Sequence, residues 1–73
     1  MTFEELLNQA CESAHLPEMA RIKLPNALKP ETKKRVVKLT SDEFGKMLAT
    51  AIDKVNHGSV ESIDTLVKKQ LVR

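Results

Sequence analysis

The first stripe of apolar residues predicts an amphipathic helix at the start of the chain. Apolar side chains recur there at three- and four-residue intervals: Phe3, Leu6, Leu7, Ala10 and Ala14. Thr2 and Glu5 have the spacing of a capping box, in which two side chains satisfy backbone amides at a helix start. We therefore expect a helix from about Thr2 to about His15, ended by the Leu16-Pro17 step.

The middle of the chain has a different pattern. Three prolines interrupt residues 17–30, and residues 19–24 fit either a short helix or an extended segment. In residues 35–40, Val37 and Leu39 alternate with Lys38 and Thr40, which predicts a strand of about five residues. Because no second strand is evident in the sequence, this strand would pair with the same strand of another copy.

The remaining pattern predicts two more helices. Thr40 and Glu43 form a second capping box ahead of an apolar stripe that consists of Phe44, Met47, Leu48, Ala51, Ile52 and Val55. A left-handed stop is expected at Gly58, after which Ser59 or Ser62 begins a last helix. The predicted order is helix, irregular segment, strand, helix, helix.

The length of the chain points to one domain that needs a partner for stability. A chain of 73 residues buries only about 60% of the surface that its unfolded form exposes. Its single cysteine, Cys11, cannot form a disulfide within the chain, so we expect a homodimer or a higher oligomer. Apolar runs are too short for a membrane span or a signal peptide, and a cytoplasmic location is expected.

Candidate chemistry along the chain is sparse. Cys11 and His15 lie four residues apart and could share one face of a helix, but zinc needs three or four ligands, and His57 falls in a predicted turn. A cysteine–histidine pair for nucleophilic catalysis lacks an orienting third group. We expect no metal, no cofactor and no enzymatic activity, and therefore a protein that binds.

The charges divide the chain into an acidic start and a basic middle. Residues 1–16 contain three glutamates and no lysine or arginine, whereas residues 29–40 contain one glutamate and five cations: Lys29, Lys33, Lys34, Arg35 and Lys38. The basic run suits contacts with DNA phosphates, and a solvated linker is the alternative. With only two aromatic residues, Phe3 and Phe44, stacking on single-stranded bases is disfavoured.

Three stretches carry a resemblance to a known family. Residues 37–44 resemble the strand and first-helix entry of the ribbon-helix-helix family of DNA-binding repressors, Gly58 falls at its turn, and residues 62–71 resemble its second helix. The resemblance implies a mainly α fold with a strand-helix-helix region in residues 29–73, which dimerises through an antiparallel two-stranded ribbon between subunits. An amphipathic helix and a proline-containing segment, residues 1–28, would precede that region.

The resemblance also implies a function and its residues. The chain would be a homodimeric transcriptional, plasmid or phage regulator that binds double-stranded DNA sequence-specifically, with the ribbon in the major groove. The base-facing side chains would be Val36, Lys38 and Thr40. The phosphate contacts would come from Lys33, Lys34, Arg35, Ser59 and Ser62.

The acidic N-terminal helix has no part in DNA binding under this hypothesis. Its stripe of Phe3, Leu6, Leu7 and Ala10 would recruit a protein partner or pack on the dimer, and residues 1–28 would be dispensable for DNA affinity. The alternative for the whole chain is a small helical protein-interaction module with no nucleic-acid role. A strand at residues 35–40 paired across a two-fold axis would favour the regulator, whereas helix or coil there would favour the module.

Overall fold

Five helices make up the fold. The computed structural model describes residues 2–72, and its helices are α1 (Phe3–Ser13), α2 (Glu18–Ala27), α3 (Pro30–Val36), α4 (Ser41–Asn56) and α5 (Ile63–Leu71). No strand occurs in the described residues, so the predicted strand at residues 35–40 is wrong. The strand-helix-helix fold and the intersubunit ribbon depend on that strand and are wrong with it. No helix in residues 2–72 is long and apolar enough to cross a membrane.

Helix α3 forms where the strand was expected, because both the residues at its ends and its packing against the core favour a helix. Pro30 occupies the first turn, where a missing N–H costs nothing, and Glu31 in that turn suits the positive end of the helix dipole. The last turn carries three cations that suit the negative end. The side chain of Val36 is fully buried, and burial of this kind outweighs the modest β preference of a branched residue.

Hydroxyl side chains begin three of the helices. Thr2, Thr40 and Ser62 each accept a hydrogen bond from the backbone N–H three residues ahead, over 3.3, 3.2 and 3.2 Å respectively. These bonds confirm the predicted starts of α1 and α4. They also show that Ser62, rather than Ser59, begins α5.

Left-handed residues end α1 and α4. Gly58 has φ +87°, and the Ser59 N–H donates to the Lys54 carbonyl over 3.0 Å, the reverse turn that closes a helix. The predicted stop at Gly58 is therefore confirmed. Helix α1 ends in the same way at His15, which has φ +53°, with the Leu16 N–H donating to the Cys11 carbonyl over 2.9 Å.

One hydrophobic core is shared by all five helices. The most extensive packing is between α1 and α4, and α2 and α5 flank this pair. The buried hydrophobic side chains are Leu6, Leu7, Ala10, Cys11, Leu24, Leu28, Val36, Phe44, Leu48, Ala51, Leu66 and Val67. Residues on both sides of position 28 therefore contribute to the same core.

Helices α1 and α4 approach each other closely at Gly45. A Cβ atom added at Gly45 would lie 2.9 Å from the carbonyl oxygen of Ala10 and 3.3 Å from the Cβ of Ala14. Only a residue without a side chain fits there. Beside this contact, the rings of Phe3 and Phe44 pack at a centroid distance of 6.0 Å and an angle of 58°.

Candidate functional site

The three predicted base-facing residues do not share one surface. Val36 is fully buried in the core, whereas Lys38 and Thr40 are exposed in the segment between α3 and α4. The Thr40 hydroxyl accepts the Glu43 N–H and donates to the Glu43 carboxylate over 3.2 Å. The row of groove-facing side chains that a strand would have made is therefore absent from the described chain.

The predicted phosphate contacts fall into two groups. Lys33, Lys34 and Arg35 lie together in the last turn of α3, with the Lys33 ammonium 5.4 Å from the centre of the Phe3 ring. Ser59 accepts the Glu61 N–H over 3.2 Å, and Ser62 caps α5. The structure thus brings the cations together on one helix and uses both serine hydroxyls in local backbone hydrogen bonds.

The apolar stripe of α1 is covered by the chain itself. Leu6, Leu7 and Ala10 are buried in the core, and Phe3 is partly buried against it. The expectation that this stripe recruits a partner does not fit its position, because its members pack chiefly against α4. The apolar face of an amphipathic helix in a small domain usually packs against the core of its own chain.

The Cys11 and His15 pair lies beside an open depression between α1 and α2, with a volume of about 650 Å³. Burial raises the pKa of the Cys11 thiol, and the charge of Arg21 offsets part of that rise. A raised pKa keeps the thiol protonated near neutral pH, where it is a poor nucleophile and a poor metal ligand. Within residues 2–72, no three histidine, cysteine or acidic side chains are grouped so as to hold a metal ion.

Asp64 is a buried carboxylate that joins α5 to α3. Its Oδ1 atom accepts the backbone N–H of Lys29 over 2.9 Å, and its Oδ2 atom lies 3.5 Å from the Lys68 ammonium. Burial alone would raise the pKa of Asp64, but the Lys29 N–H, the nearby Thr32 hydroxyl and the Lys68 ammonium together lower it below its usual value. The Thr32 hydroxyl, also buried, faces the carboxylate without reaching hydrogen-bond geometry. Asp64 therefore fixes the start of α3.

A groove between α2, α4 and α5 is the apolar site that the sequence did not reveal. It encloses about 290 Å³, and its lining residues are Pro17, Met19, Ala20, Lys23, Leu24, Ile52, Val55, Asn56 and Ile63. Met19 is 56% exposed and Val55 is 38% exposed. Among the described residues, Lys23 is the single charged one in the lining. We therefore take this groove as the candidate functional site.

A signal for the groove was present in the sequence but was incomplete. Ile52 and Val55 continue the apolar stripe of α4 toward its C-terminal end, where they line the groove and are not fully buried. Met19 is one of four apolar residues in the segment 19–24. Neither residue alone distinguishes an open groove from core packing, because the placement of α2 depends on tertiary contacts.

No protein-family model, curated protein or solved structure matches this chain. The resemblance of residues 35–73 to the ribbon-helix-helix family has no support from these comparisons, and the fold that it implied is contradicted. The function of the chain is therefore inferred from its own residues.

Proposed function

We propose that this chain is a small helical protein-interaction module, which binds a helix of a partner protein in the groove between α2, α4 and α5. Two features support the proposal. Residues 30–36 form a helix, the outcome that favours an interaction module over a ribbon-based regulator. The observation that carries it is the exposure of Met19 and Val55 on facing walls of one apolar groove.

The groove differs from the scattered apolar residues of an ordinary surface. Single exposed hydrophobic side chains are common and need no explanation, whereas a contiguous concave patch is typical of a binding site. Met19 and Val55 lie beside the partly buried Ile52 and Ile63. A partner in the groove would therefore bury all four apolar side chains together. The flexible side chain of Met19 can adapt to the shape of a partner.

The lining also indicates the chemistry of the occupant. Lys23 contributes a cation, and no carboxylate of residues 2–72 lines the groove. An amphipathic helix with an apolar stripe and a carboxylate beside that stripe would bury its side chains against Met19 and Val55. Its carboxylate would face Lys23, and such complementarity sets specificity and orientation.

A synthetic helix tests this proposal. The probe is a helix-stabilised peptide with leucines at positions i, i+3, i+4 and i+7 and glutamates along the flank of that stripe. We expect Met19→Glu to weaken its binding by about tenfold or more, since a buried carboxylate would replace an apolar contact and repel the acidic flank. The affinity is measured by isothermal titration calorimetry.

Ile22→Glu is the matched control for this substitution. Ile22 lies on the same helix with a similar exposure, 59%, but it faces α1 rather than the groove. We expect it to change the probe's affinity by less than about twofold. Equal losses for Met19→Glu and Ile22→Glu, or stronger binding of a lysine-flanked probe than of the glutamate-flanked one, would exclude the groove as the binding site.

A further inference from the structure

A second surface of the molecule carries an excess of positive charge. Four exposed cations lie within ten residues, on α3 and the segments beside it: Lys29, Lys34, Arg35 and Lys38. We call this set the α3 basic ridge. None of the four forms an ion pair within the described part of the chain, whereas Lys68 and Lys69 of the neighbouring helix each lie within 4.0 Å of a carboxylate. Glu31 is the one carboxylate of residues 29–38 and lies 4.0 Å from Lys68, so the ridge carries a net positive charge.

The ridge is held in a fixed position by the core. Below it, Thr32 and Val36 are buried, and Leu39 packs against the core at the following turn. Asp64 accepts the N–H of Lys29 and ties the first residue of the ridge to α5. The basic run is thus an ordered helical surface rather than a linker, and a pre-organised surface loses less entropy when it binds.

We propose that the α3 basic ridge binds the phosphate backbone of double-stranded nucleic acid, without reading its bases. A duplex presents about one negative charge per 1.7 Å of its axis, so several phosphates lie within reach of one helical turn. When lysine and arginine side chains of the ridge neutralise phosphates, the counterions condensed on the duplex are released. This release of counterions drives association.

The nucleic acid is a duplex because neither aromatic ring of the chain is free for single-stranded bases to stack on. The two aromatic rings of the chain are occupied, since Phe44 is fully buried and Phe3 packs against it. Phosphate contacts rather than base contacts are assigned because the exposed side chains of the ridge are lysines and an arginine, whereas Val36, a predicted base reader, is buried in the core. A membrane surface is disfavoured, since Val37 and Leu39 are partly buried and offer little to insert.

Fluorescence anisotropy with a labelled duplex of about 20 base pairs tests this proposal. We expect the full chain to bind two duplexes of unrelated sequence with affinities that agree within about twofold. The double variant Lys34→Ala/Lys38→Ala should bind each duplex about tenfold more weakly at low salt. It should also lower the slope of log affinity against log salt concentration by about two, because two phosphate contacts are lost.

Lys46→Ala/Lys54→Ala is the matched control, since it removes the same charge from two exposed, unpaired lysines of α4. We expect this variant to keep the duplex affinity within about threefold of that of the unchanged chain, and Lys34→Arg/Lys38→Arg to keep it as well. Equal losses in the two alanine variants would show that net charge alone attracts the duplex and would overturn the proposal. It would also be overturned if polyglutamate bound the ridge as tightly as the duplex, or if the duplex failed to bind at low salt.

Discussion

Asp64 determines where α3 begins, although it lies on another helix. Its carboxylate accepts the Lys29 N–H from a distance of 35 residues along the chain and lies beside the Lys68 ammonium. A charged acceptor that replaces water at a buried N–H makes a stronger hydrogen bond than a neutral one. The stability of α3 and the position of the α3 basic ridge therefore depend on this side chain as well as on the buried Thr32 and Val36.

Replacement of this carboxylate should destabilise the fold. We expect Asp64→Asn to lower the free energy of unfolding by about 1–3 kcal/mol at pH 7, because the charge that faces Lys29 and Lys68 is lost while the site stays buried. Urea unfolding followed by circular dichroism measures the difference. Asp53→Asn, at a carboxylate that is 73% exposed, is the control and should change stability by less than about 0.5 kcal/mol.

The contribution of Asp64 should also depend on pH. Its pKa is lower in the folded chain than its ordinary value of about 3.9, so the folded state favours the charged form. The stabilisation is therefore complete above the unfolded pKa and disappears as the pH falls through the folded one. The stability difference between the unchanged chain and Asp64→Asn should shrink below about pH 4. A difference that stayed constant from pH 7 to pH 3 would contradict the assigned role of this carboxylate.

At the residue scale, features that depend only on nearby residues can be predicted from the sequence. The caps at Thr2 and Thr40 and the stop at Gly58 could be predicted, because each depends on contacts with residues only a few positions away. The role of Asp64 could not, because its partner lies on a distant segment. An acid three residues before Val67, on the inward face of α5, was the single local sign of it.

At the scale of elements, α3 shows where pattern reasoning fails. Alternation over residues 35–40 fitted a strand, but it also fitted a helix end followed by a turn, since Val36 and Leu39 are three residues apart and both face the core. A short run of this kind has no periodicity that separates the two. The longer stripes of α1 and α4 extend over three or more turns, and their helices were predicted.

Removal of residues 1–28, which contain α1 and α2, should unfold the rest of the chain. Leu6, Leu7 and Ala10 cover the face of α4 that includes Phe44 and Leu48, and α1 and α4 form the most extensive helix contact. A chain that lacks residues 1–28 would expose this face to water, at a cost of about 25 cal/mol for each Å² of apolar surface. We therefore expect the truncated chain to lose its cooperative urea transition and most of its helical circular dichroism.

This expectation differs from the one that followed from the ribbon-helix-helix resemblance, under which residues 29–73 fold without the N-terminal helix. Leu7→Ala in the full chain gives a milder test of the same contact. It should cost about 2–5 kcal/mol, as expected for a buried leucine. A truncated chain that still unfolds cooperatively, or a Leu7→Ala variant as stable as the unchanged chain, would show that α1 is not part of the core.

At the scale of the whole molecule, one small core supports two different surfaces. The radius of gyration is 10.9 Å, close to the value of about 11 Å for a compact domain of this length. The core includes residues from every helix without a second copy of the chain, so the argument for a dimer that rested on the ribbon no longer applies. The homodimer itself stays a prediction.

The apolar groove and the α3 basic ridge could be inferred from sequence only in part. The basic run was evident as a cluster of charges, because charge is local to the chain. The groove was not, because it is formed by three helices whose relative placement depends on the packing of α2 against α1 and of α5 against α4. The sequence shows which residues are hydrophobic, whereas only the fold shows which of them remain exposed to solvent.

Chemical-shift mapping is the most direct measurement of the central claim, that the groove between α2, α4 and α5 receives a partner helix. The ¹⁵N-labelled full chain is titrated with the glutamate-flanked probe, and amide shifts are followed residue by residue. We expect the largest shifts around the groove, at Met19, Ala20, Lys23, Val55 and Ile63, with α3 little affected. Shifts that are largest on α3, or spread evenly over the five helices, would contradict the claim.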